Sequence, residues 1–80
     1  MKKTQARPLN EIALEISEDW ENVYFGAKPY LDAMGNLDSI DSRYFEDSAK
    51  SIVMYFLANA QTWRGEVARR VKKELNGLLK

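Results

Sequence analysis

The chain has no histidine and no cysteine, so its reactive side chains are carboxylates, hydroxyls and cations. That removes the commonest general base near neutral pH, the commonest nitrogen ligand for metals, and every thiolate or disulfide. Glu11, Glu15 and Asp19 recur every four residues, one helical turn apart, on a face expected to meet water. Glu18 and Asp19 are adjacent and point to different sides. A carboxyl pair that cleaves glycosides needs a cleft and one desolvated acid, and the pattern suggests neither. Asn36, Asp38, Asp41 and Asp47 resemble an oxygen-ligand calcium loop. Counted from Asn36, however, the fifth and sixth positions are Ile40 and Asp41, where an EF-hand loop needs an oxygen ligand and glycine. These four residues are expected to form turns and caps.

The hydroxyls Thr4, Ser17, Ser39, Ser42, Ser48, Ser51 and Thr62 have no imidazole to activate them. Lys50 beside a serine is the one conceivable nucleophile–base pair, but it is expected to project along a helix edge. The glycines are scattered and match no phosphate-cradling motif. Enzymatic activity, a metal and a cofactor are therefore not expected.

Binding chemistry is better represented. Arg64, Arg69, Arg70, Lys72 and Lys73 form a dense basic cluster that could lie across nucleic-acid phosphates. Glu66 and Arg70 are four apart and can pair along a helix. The chain is neutral overall, with 12 cations against 12 acids, unlike most nucleic-acid binders. Its charge is segregated: residues 11–47 are acidic and residues 64–80 basic, so the halves can attract each other on folding. The aromatics Trp20, Tyr24, Phe25, Tyr30, Tyr44, Phe45, Tyr55, Phe56 and Trp63 are many for 80 residues. Most belong in a core. Tyr24, Tyr30, Trp63 and Arg64 are the candidates for a partner-binding hot spot, because Tyr, Trp and Arg dominate interfaces.

These residues must be positioned by helices. An apolar stripe runs through Phe45, Ala49, Ile52, Val53, Phe56, Ala60, Trp63, Val67, Val71, Leu75 and Leu78 in steps of three or four. The chain is expected to be all-α, a small bundle of three to four helices. Pro8 suits a helix start, and Leu9, Ile12, Ala13, Ile16, Trp20 and Val23 or Tyr24 predict a helix over about 9–24. Pro29 and Gly35 bracket a short helix at 29–34, with Tyr30, Leu31 and Met34 as its apolar face. Residues 36–42 read as a loop anchored by Leu37 and Ile40.

A central apolar helix is predicted over about 43–60, capped by Asp41 or Ser42 and apolar on nearly every side. An amphipathic basic helix follows over about 63–79. A break near Gln61–Thr62 is expected, with Thr62 as the cap. The stripe crosses this point in phase, so one helix of about 55 Å is the alternative and would imply a dimer. A second alternative, α+β, would pair Val23–Phe25 with Ile52–Phe56 as strands.

The length allows one domain, expected at 9–80 behind a flexible basic arm at 1–8. No apolar run reaches the ~20 residues of a membrane span, and none follows the basic N-terminus as a signal peptide would require.

The run Trp20-Glu21-Asn22-Val23-Tyr24-Phe25-Gly26-Ala27-Lys28-Pro29-Tyr30-Leu31, with Phe56-Leu57-Ala58-Asn59-Ala60-Gln61-Thr62-Trp63-Arg64-Gly65-Glu66, resembles small uncharacterised proteins of bacterial phages and conjugative or mobile elements. The resemblance implies an accessory role in a bacterial cytoplasm and carries no activity or site residues. The expectation is a non-enzymatic module that binds a host protein, with a homodimer also open. The alternative is a nucleic-acid-binding accessory protein using the basic C-terminal helix.

Overall fold

The computed structural model describes residues 7–44 and 47–79. Four helices form the fold: α1 (Leu9–Asp19), α2 (Lys28–Met34), α3 (Ala49–Ala58) and α4 (Glu66–Leu78). α2 packs on α3, and α1 touches both α2 and α4. The all-α expectation holds. No helix is long and apolar enough to cross a membrane among the described residues.

α1 starts where Pro8 predicts and buries Leu9, Ile12, Ala13 and Ile16. Its first N–H groups do not wait for water. Leu9 donates to the Asp38 carbonyl at 3.2 Å and Asn10 to the Leu37 carbonyl at 2.9 Å, so the 36–42 loop closes the helix start. The helix ends at Asp19, short of the expected Tyr24. Trp20 takes an extended conformation and drops its indole into the core, 6% exposed. Burying so large a ring outweighs one more helical turn. Residues 1–6, most of the expected arm, lie outside the described residues. Arg7, assigned to that arm, is instead tied down by Glu15 and Glu74.

α3 begins at Ala49, not near 43. Ser48 caps it, its Oγ accepting the Ser51 N–H at 3.1 Å, so neither Asp41 nor Ser42 serves. The preceding residues pair as two short antiparallel strands, β1 (Arg43–Tyr44) and β2 (Asp47–Ser48), with Arg43 opposite Ser48. The stripe position Phe45 lies outside the described residues. The segments named by the α+β alternative form no strands: residues 23–25 are a loop and turn, and 52–56 are helix.

The break between α3 and α4 is present. The described chain is 38 Å along its longest axis, too short for a rod of about 55 Å. Gly65 makes the re-entry, with φ at 113°, a conformation that side chains other than glycine rarely take. Thr62 therefore does not cap α4, and the helix starts at Glu66, not Trp63. Trp63 lies in the connection, 2% exposed. It stacks on Trp20 at 5.8 Å and meets the Phe56 ring at 6.4 Å. Its indole N–H donates to Asp19 Oδ2 at 2.9 Å. This aromatic trio joins α1, α3 and α4 at the centre of one core that also holds Leu31, Met34, Ile52, Val53, Val71 and Leu75.

Candidate protein-binding surface

The turn after Trp20 puts large apolar side chains into solvent. Ala27 is fully buried and its N–H donates to the Tyr24 carbonyl at 2.8 Å. That anchors the turn from within and leaves Tyr24 and Phe25 outside, 43% and 79% exposed. Their rings lie 5.0 Å apart. Gly26 lets the Tyr24 ring fold back, for a Cβ there would stand 2.5 Å from that ring and 3.0 Å from Asn59 Oδ1. The ring thus reaches the end of α3, where Tyr24, Ala58, Asn59, Gln61 and Thr62 line a shallow cleft of about 260 Å³.

From there the surface continues along α3. Asn59 donates to the carbonyl of Tyr55, one turn back, at 2.9 Å. Tyr55 is half exposed and its ring lies 5.4 Å from Tyr30 of α2. Met54, one turn before Ala58, is 56% exposed. Tyr24 with Phe25 and Tyr30 with Tyr55 therefore make two surface aromatic pairs, on the turn between α1 and α2 and across α2 and α3, with Met54 exposed on α3 beside the second in sequence. Single exposed apolar residues are ordinary, but connected ones mark interaction sites.

Two of the predicted hot-spot residues, Tyr24 and Tyr30, belong to these pairs, one to each. Trp63 and Arg64 do not join them. Trp63 is consumed by the core, and Arg64 is exposed beside a different cleft at the start of α4. Phe25, Met54 and Tyr55 were missed. The signal for Met54 and Tyr55 was the run from Ile52 to Ala58, read as a helix buried all round. One helix cannot bury every side in so small a protein, and the outer side carries Met54 and Tyr55.

The basic candidates divide as well. Arg70 does not pair with Glu66; its guanidinium hydrogen-bonds Glu15. Lys72 donates to the Trp63 carbonyl at 2.7 Å. Arg64, Arg69 and Lys73 are exposed, with no hydrogen bond or ion pair among the described residues. Glu15, expected on an open face, is half buried between two guanidiniums. Arg7 makes two hydrogen bonds to Glu74, at 2.7 and 2.9 Å, and its Nη2 also lies 2.9 Å from Glu15 Oε1. That last contact is an ion pair without hydrogen-bond alignment, and solvent does not reach the oxygen. Arg70 first and Arg7 second hold the Glu15 carboxyl below its usual range. Of these contacts only Glu15–Arg70 joins the acidic half to the basic helix; Arg7–Glu74 runs the opposite way, from a cation ahead of α1 to an acid of α4.

The remaining polar residues build turns. Asp38 accepts from the Asn10 side chain, Asn36 donates to the Asp32 carbonyl, and Ser39 accepts from the Asp41 N–H. No cluster of three or more potential metal ligands occurs among the described residues. The chain matches no protein-family model, no curated protein and no solved structure.

Proposed function

We propose that this chain is a non-enzymatic interaction module whose aromatic surface docks on a partner protein. The observation that carries the reading is the exposure of Phe25, Tyr24, Tyr55 and Met54 in a chain whose other large apolar residues are, Leu14 aside, mostly inside among the described residues. Burying that surface in a complex is favourable at about 25 cal/mol per Å², and aromatic side chains give up little conformational freedom on binding. The partner expected is a protein with an apolar segment flanked by basic residues. Residues 18–32, which carry half of the surface, hold Glu18, Asp19, Glu21 and Asp32 against Lys28 alone. Complementary charge of that kind steers and orients a partner. The resemblance of residues 20–31 and 56–66 to phage and mobile-element proteins supports a partner from a bacterial host and a complex in its cytoplasm.

The test uses the full chain as bait in host extract, alongside Phe25→Ser and Tyr55→Ser variants. One specific protein should be retained by wild type, released by raised salt, and lost with either variant while their melting transitions stay normal. A partner held equally by both variants would mean that the aromatic surface is not the docking site.

A further inference from the structure

We infer that the cleft at the start of α4 binds a phosphate group. The cleft has a volume of about 330 Å³ and is lined by Gln61, Trp63, Arg64, Ala68, Arg69 and Lys72, with Gly65 at its rim. Three of these residues are cations and none is an acid. Of the nearby acids, Asp19 accepts from the Trp63 indole N–H, and Glu66 lines a neighbouring cleft that shares Arg69 but makes no ion pair with it. Glu15 and Glu74 are engaged by Arg70 and Arg7.

The three cations are held differently. The Lys72 ammonium donates to the Trp63 carbonyl at 2.7 Å and sits 5.9 Å from the centre of the Trp63 ring. That fixes it at the cleft wall with two N–H donors left over. Burial, and then the charge of Arg64, push its pKa below the ordinary lysine value. The cleft brings together three cations that no carboxylate pairs with among the described residues, and an entering anion would offset their mutual repulsion. Arg64 and Arg69 have no partner among the described residues, so both guanidiniums are free to fork onto oxygen atoms. The first turn of α4 adds a field of the same sign.

A tetrahedral dianion offers more acceptor oxygens to the three cations lining the cleft than a planar carboxylate does. Recognition stops at the phosphate, because the Trp63 face that could stack on a nucleobase is already covered by Trp20. The phosphate can be carried by a small ligand or by a nucleic-acid backbone, and the chemistry at the cleft is the same. This site is independent of the aromatic surface, and either can fail without the other.

The experiment is an amide NMR titration of the full chain at constant ionic strength. Inorganic phosphate is the probe in one arm and a short random duplex DNA in the other. Wild type should shift saturably at residues 64–69 with at least one probe. Response to phosphate alone assigns the site to small phosphorylated ligands. Response to both, each lost in the same variants, assigns it to the nucleic-acid backbone. Arg64→Gln and Arg69→Gln should each weaken binding by about tenfold, the effect of one charge-assisted contact. Lys73→Gln removes the same charge outside the cleft and should leave affinity within about twofold, as an exposed, unpaired charge does. All three side chains are exposed, so the variants should fold like wild type. No saturable response to either probe overturns the inference, and so does a Lys73→Gln loss as large as that of Arg64→Gln.

Discussion

Aromatic residues carry both the stability and the proposed recognition, and their positions separate the two roles. Phe56 is fully buried and meets Trp20 and Trp63 edge-on, at 6.2 and 6.4 Å. Phe56→Ala should cost about 3–5 kcal/mol, since the cavity forms where three elements meet and none can close it alone. Phe25 is 79% exposed, so Phe25→Ser should change stability by no more than about 0.5 kcal/mol. Urea denaturation of both variants checks the assignment. A Phe25→Ser loss like that of Phe56→Ala would show that the Phe25 ring belongs to the core. Sequence spacing identified Phe56 because its neighbours at helical intervals are apolar. The same stripe includes Trp63, yet Trp63 sits in the connection before α4 and not on a helix, and its pairing with Arg64 as a hot spot suggested a surface position. What buries Trp63 is Asp19, 44 residues away, together with Trp20, and no local pattern records such a contact.

Helix existence was legible in the sequence, and helix ends were not. Periodicity marks where a helix can run, while the end is set by which side chain leaves it for another task. α1 ends early because Trp20 turns into the core. α3 starts late because Ser48 caps it more effectively than the earlier candidates. The break before α4 rests on Gly65, although the apolar stripe passes from Trp63 to Val67 in phase. Its φ of 113° excludes an unstrained alanine, although no atom would obstruct the added methyl. Gly65→Ala should therefore destabilise by about 1–3 kcal/mol through backbone strain alone. The natural comparison is Gly77→Ala, inside α4, with the same open surroundings and no positive φ. There alanine should stabilise by up to about 1 kcal/mol. Equal effects at the two glycines would mean that Gly65 is not conformationally constrained.

At the scale of the whole molecule, segregated charge that sums to zero becomes a clamp. Glu15 of α1 accepts from Arg70 of α4 and faces Arg7, while Glu74 of α4 accepts from Arg7. The cluster fastens the chain ahead of α1 to the last helix, which no stripe or motif forecasts. Its dependence on pH follows from Glu15. The carboxyl pKa is lower in the folded protein than in the unfolded chain, so the unfolded chain takes up its proton first as pH falls. The contribution is therefore complete above the ordinary glutamate value of about 4.3. It fades as pH drops from there through the lower folded value. These groups are partly exposed, so the effect should be about 0.3–1 kcal/mol and should shrink with added salt. Glu15→Gln should melt below wild type at neutral pH, and the gap should close as the buffer is acidified from about pH 5 to a pH below the ordinary glutamate value. If the gap stays constant down to that pH, the clamp does not draw its strength from the Glu15 charge, and packing of α1 on α4 must hold the two ends together.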